Sequence, residues 1–397
     1  MCSFVFRFIH GYHQSHCMKS IKGVFFLLAS SIFIISWVST APNMGGSCST
    51  RLDSLRLLYA RPVAQWPKPD IDKGIDYQEL GALPNDSSWL RVDKDPIVKL
   101  GQLLFFDPRL SSSNQISCSS CHDPEIGWSD ARRVSLGNEH LEGTRNTPSL
   151  LNVTSHKLFF WDGRSKSLED QAISPLATHH EMNMDMPLLA DKIATINGYK
   201  AYFKKAYGSN EVTLDKILKA IATFESIIKS RQSRFDNFVN GNYNALTDQE
   251  IKGLDLFRKK ARCMNCHFGT FFSDDQFHNI GLTYYGRKYQ DLGRYEVTRN
   301  AKDVGKFRTP SLRDVMKTGP WMHNGLFDNI IGVINIYNSG MHMLDNKAKD
   351  KNDTLYPVTD PILKPLQLTE DEKQDLAAFL NAITGTQYKM RRPELPK

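Results

Sequence analysis

The chain has 397 residues, 41% hydrophobic and 23% charged, a globular composition far from the polar, highly charged range of disordered chains. A formal net charge of +7 and a pI of about 8.9 make it mildly basic. The excess is diffuse, with no arginine-rich block, which argues against nucleic-acid binding.

In chain order, Lys19 and Lys22 precede an apolar run from Gly23 to Val38, and Ser39-Thr40-Ala41 follow. Basic start, apolar middle and small-residue exit predict an export signal over residues 1–41, cleaved after Ala41, and a periplasmic protein. The run falls short of the roughly 20 residues that cross a bilayer comfortably, although an uncleaved anchor is the alternative. Residues 42–90 carry several prolines and little periodicity, and read as an N-terminal arm. The run from Val98 to Phe106 has helical spacing. Leu214 to Ser230 repeats that period, Thr247 and Glu250 form a capping box before another helix, and Thr369-Glu-Asp-Glu opens a helix to Ile383. Strand signals are scarce, so the fold class is all-α, with long loops.

Seven cysteines are present. Cys2 and Cys17 lie in the discarded leader, and Cys48 stands alone. The others form Cys118-Ser-Ser-Cys121-His122 and Cys263-Met-Asn-Cys266-His267. Such pairs could be disulfides in an exported protein, but a pair followed at once by His has a better reading. Two thioethers hold a haem and the imidazole binds its iron. Zinc would need further Cys or His at short spacing. Two c-type haems therefore follow, with His122 and His267 as proximal ligands. The motifs lie about one domain length apart, each after a helix. This predicts haem domains over residues 91–240 and 241–390.

The wider pattern resembles the bacterial di-haem cytochrome c peroxidase superfamily, which includes the methylamine-utilisation protein MauG. The matching segments run from Leu103 to Ser111, Ser117 to His122, Thr144 to Ser149 and Phe160 to Arg164, with Gln171, Glu181-Met182 and Phe307 to Arg313. The resemblance implies that Glu181 moves a proton in peroxide cleavage, that Gln171 orients peroxide or water, and that Pro175 walls the same pocket. It implies Trp161 as an inter-haem relay, and a calcium ion held by the Asn146 side chain with the Thr318 and Pro320 carbonyls. Where ordinary peroxidases cap the resting N-terminal haem with histidine, the family's spacing reaches Asn138; His140 is the nearby substitute. An amide is a poor ligand to haem iron, so that iron is expected to be open. Where they place methionine at the second haem, the spacing reaches Tyr337, as in MauG and its relatives, with Met322, His323, Met341, His342 and Met343 as competitors. His179 and His180, beside Glu181, read as surface or supporting residues.

Three functions stay open. The first is a peroxidase that reduces hydrogen peroxide with electrons from a small cytochrome c or copper protein. The second is a MauG-like enzyme that uses peroxide to oxidise Trp or Tyr of a partner protein at long range. The third is a non-enzymatic electron carrier. Self-association into a homodimer is left open.

Overall fold

The computed structural model describes residues 54–341, 353–385 and 390–397. The expected export signal and the start of the arm lie outside the described residues, as do His342 and Met343. The all-α expectation holds. Helices α1 (Pro96–Phe106), α2 (Leu168–Ala177), α3 (Met186–Ala194), α4 (Asn197–Tyr207) and α5 (Leu214–Glu225) build one hydrophobic core. Helices α6 (Arg234–Val239), α7 (Asp248–Arg258), α8 (Ile330–Asn338) and α9 (Glu370–Ala382) contribute to a second. Among the described residues the strands are β1 (Phe277–His278) and β2 (Phe307–Arg308), paired antiparallel with Phe277 opposite Arg308. No helix among them is long and apolar enough to cross a membrane.

Each core is organised by one helix crossing. Asp95 starts α1 by accepting from the Ile97 and Val98 amides, and Pro96 presets the first helical φ. The helix then buries Val98, Leu100, Leu103, Leu104 and Phe105. It meets α5 at Gly101, where a Cβ would lie 1.9 Å from the Ala220 carbonyl oxygen. In the second core, Thr247 and Glu250 form the expected capping box on α7, and Thr369 and Glu372 form one on α9. These helices meet at Gly253, where a Cβ would lie 2.0 Å from the Asp375 carbonyl oxygen. Only glycine lets the backbones approach so closely. Beside each crossing sits the same ring contact: Phe105 on Phe224 and Phe257 on Phe379, both with centroids 5.2 Å apart.

One helix is shorter than its periodicity predicts. α5 ends at Glu225 rather than Ser230, because the next turn serves other partners. The Ile227 and Ile228 carbonyls there accept from Ser88 and Asn152, while both side chains stay buried.

The two chain ends tie down opposite halves. The arm lays Tyr59, Trp66 and Leu80 into the second core. It also holds the fully buried Arg258 guanidinium through Glu79 (2.5 Å), the Pro67 carbonyl (2.7 Å) and the Tyr59 hydroxyl (3.1 Å). A buried cation needs such partners, and losing one strands its charge. The C-terminal tail returns to the first core, where Met390 and Leu395 pack and the Lys397 carbonyl accepts from Gly198.

Candidate haem and peroxide site

Each Cys-x-x-Cys-His segment forms a single tight turn, at Cys118–Ser120 and Cys263–Asn265. The His122 amide donates to the Cys118 carbonyl (3.0 Å), and the His267 amide to the Cys263 carbonyl (2.8 Å). All four thiols are free of disulfides. The His122 Nδ1 lies 3.1 Å from the Trp128 carbonyl oxygen, and the His267 Nδ1 lies 2.9 Å from that of Phe272. A carbonyl can only accept, so Nδ1 carries the proton and Nε2 keeps its lone pair for a metal. Burial lowers the pKa of both imidazoles and keeps them neutral. Trp128 and Phe272 present these carbonyls from left-handed backbone, φ 59° and 53°, uncommon for large side chains. Two unpaired thiols with one neutral, oriented imidazole form a donor set that fits a covalently held haem, and it occurs twice.

Around His267 the fit extends to the walls. Cys263, Cys266 and His267 share a largely apolar cavity with Leu312, Ile334, Leu380 and Tyr337. Burial, and then the neighbouring Cys266 and Cys263 sulfurs, push the Tyr337 hydroxyl upward, so the free phenol stays neutral. A bound cation would reverse that balance. Of the competing ligands, Met322 and His323 also line this cavity, whereas Met341 is buried but outside its lining. Trp161, Asn146, Thr318 and Pro320 lie on the same walls. The Trp161 Nε1 donates to the Asn146 carbonyl (2.9 Å), and the Asn146 amide nitrogen to the Arg132 carbonyl (2.9 Å).

Sequence reasoning missed His278, which had no motif around it. Although burial opposes it, hydrogen bonds to Asp274 (2.9 Å) and Asp360 (2.6 Å) push this imidazole up to about 12. It is a clamped imidazolium in the wall of the His267 cavity.

Around His122 the loops bring Asn138 and Glu181 together. The Asn138 amide donates to the Glu181 carbonyl (2.7 Å), and its side chain is 3% exposed with no partner for Nδ2. His140 is exposed. The Glu181 turn folds back on the end of α2, its amide on the Thr178 carbonyl and the Met182 amide on the Pro175 carbonyl. Burial raises the Glu181 carboxyl against the weaker pull of His180 and Arg164. Glu181 reaches a polar cavity of about 700 Å³, together with Arg145, Arg164, Ser174, Thr178, His180 and Asp291. Gln171 sits one turn before Ser174 on α2, outside the lining of that cavity, and His179 is exposed.

Residues 95–244 match a family model described as di-haem cytochrome c peroxidase. The chain is 35% identical to the methylamine utilisation protein MauG of Methylorubrum extorquens, over 96% of this chain and 100% of that one. It is 34% identical to the cytochrome c551 peroxidase of Nitrosomonas europaea, over 76% and 83% of the two chains. Its fold matches the crystal structure of a MauG-like protein associated with microbial copper homeostasis, with a TM-score of 0.66, 29% identity and coverage of 80% and 96%. The chain belongs to the di-haem cytochrome c peroxidase/MauG family of oxidoreductases, which implies two c-type haems, at Cys118–His122 and Cys263–His267.

Proposed function

We propose that this chain is an exported enzyme that activates hydrogen peroxide at the His122 site and exchanges electrons through the His267 site. The observation that carries the reading is the buried Asn138 pressed against Glu181, with His140 turned out to solvent. An amide in place of an imidazole would offer bound iron no competent ligand from Asn138, which argues against a simple electron carrier. Bound haems would supply redox-active iron, bound by His122 and His267 through Nε2.

The protein's own groups then do the following. The polar cavity admits peroxide to Glu181. Its carboxyl, raised by burial, gives a proton to the oxygen that leaves as water and recovers one through the cavity. Gln171 orients peroxide or water. Trp161, fixed by its hydrogen bond to Asn146, relays electrons between the two sites. The Asn146 side-chain oxygen and the Thr318 and Pro320 carbonyls would hold a calcium ion, as oxygen donors suited to that hard cation. The electrons come from a small cytochrome c or copper protein.

A second reading is favoured by one observation, Tyr337 in the wall beside His267. A phenolate ligand stabilises higher oxidation states of iron, which suits storage of oxidising equivalents for long-range oxidation of Trp or Tyr in a partner protein, as in MauG-like enzymes.

EPR of the resting ferric holoprotein tests both. One high-spin and one low-spin signal are expected. Two low-spin signals would defeat the open His122 site. In Tyr337→Met the low-spin signal alone should move; unchanged signals would remove Tyr337 as a ligand.

A further inference from the structure

The last residue of α5, Glu225, takes no part in the chemistry above. It is 4% exposed, and its Oε2 has no hydrogen-bond partner. A carboxylate there is opposed from three sides. Burial removes its hydration, the C-terminal end of a helix presents negative partial charge, and the Glu169 carboxylate on α2 adds more. Of the cations on the packed elements, Lys219 is bridged to Glu169 at 3.0 Å. Lys99 on α1 is bonded to Gln102, and Lys192 on α3 to the Ser111 carbonyl. None of these is a partner of Glu225. Burial first, and Glu169 second, push the carboxyl up to about 8.

Its location gives this isolated acid a meaning. Glu225 is close enough to Cys118 to raise that thiol, second only to burial. The matching helix crossings supply an independent coordinate. Phe224 and Phe379 stand at the same place beside Gly101 and Gly253, so Glu225 corresponds to Leu380. Leu380 lines the cavity that holds Cys263, Cys266 and His267. The second half thus fills this wall of its haem cavity with hydrocarbon, and the first half places an unpartnered carboxyl there.

We infer that Glu225 is a redox-linked proton site for the haem attached at Cys118. One electron arriving from the donor is matched by one proton taken from solvent onto the Glu225 carboxylate, and both leave on reoxidation. The carboxylate's charge opposes the added electron, and protonation removes that charge. The potential is therefore highest where Glu225 is neutral and falls as pH rises through its titration. This rests on haem attachment at Cys118 and not on peroxide chemistry, so an inactive peroxide site leaves it standing. Glu225 is a tuning residue and is not assigned to contact with substrate.

The test is spectroelectrochemical titration of the full-length holoprotein from about pH 6 to about pH 10, resolving both one-electron waves. One wave should fall with pH, approaching about 59 mV per tenfold change in proton concentration. In Glu225→Gln that wave should become flat while the other keeps its wild-type behaviour. Glu225→Leu, which installs the residue around which the second half is built, should flatten the same wave. A slope that survives in either variant overturns the proposal, and so does a wild-type protein with no sloping wave.

Discussion

Around His122, the rings of Phe105, Trp128 and Phe224 lie 5.2–6.1 Å apart; around His267, those of Phe257, Phe272 and Phe379 lie 5.2–6.2 Å apart. The middle ring of each trio belongs to the residue whose carbonyl orients the histidine. The proximal frame is thus built twice to nearly the same dimensions. The other surroundings differ: one half ties the backbone of a buried asparagine to that of Glu181, whose carboxyl is raised, and the other sets a phenol in an apolar wall. Two equal frames with unequal surroundings suit the proposed division into a reactive site and a storage or transfer site, without a change of fold.

The sharpest way to break this comparison is at Glu181. A positioned general acid typically contributes about 10²–10⁴-fold. Glu181→Gln should slow the reaction with peroxide by that order in stopped-flow measurements, while the His267 haem spectrum stays unchanged. The sign of the pH dependence follows from the raised carboxyl. A general acid must hold its proton to give it, so the wild-type rate falls as pH rises through the titration of this raised carboxyl, and the variant loses this limb. A normal rate in Glu181→Gln would remove the residue from the chemistry.

Much of this was legible in the sequence because it is local. The capping boxes at Thr247/Glu250 and Thr369/Glu372 and the two haem loops each lie within six residues, where spacing dictates geometry. The readings of Asn138, Glu181 and Tyr337 came from a resemblance, and no local pattern would have supplied them. What escaped depends on contacts far apart in sequence. Arg258 reads as an ordinary helix-end cation until the arm buries it, and Glu225 as one more polar residue in an amphipathic helix. His278 is clamped by Asp360, which lies 82 residues further along the chain. Burial of polar groups is a tertiary property, and periodicity carries no trace of it.

The equivalence of the frames is itself breakable at the two glycines. A methyl at position 101 or 253 would sit 1.9 or 2.0 Å from a backbone carbonyl oxygen, so the helices must separate. Overpacking of this kind costs about 1–3 kcal/mol, occasionally more. Gly101→Ala and Gly253→Ala should therefore lower denaturant midpoints by comparable amounts, each disturbing first the absorption spectrum of the haem in its own half. A large cost for one and none for the other would mean that the crossings only look alike.

The smallest expected difference lies at the starts of α1 and α7, where the same task is done by a carboxylate in one half and a hydroxyl in the other. Asp95 accepts from Ile97 and Val98 and pairs with Arg91 at 2.7 Å; Thr247 accepts from Glu250. Although partial burial pushes it up, Arg91 and the two amides hold the Asp95 carboxyl below its usual range. A depressed acid contributes stability that is present above its unfolded pKa and lost as pH falls through its folded one. Removing either cap should cost about 1 kcal/mol near neutral pH. As pH is lowered below about 4, the unfolded range of an aspartate, the gap between wild type and Asp95→Ala should narrow. The loss from removing the uncharged Thr247 hydroxyl has no such reason to change. Denaturant midpoints of the two variants against wild type across that range would separate the caps, and parallel behaviour would mean that the charge on Asp95 adds nothing to its geometry.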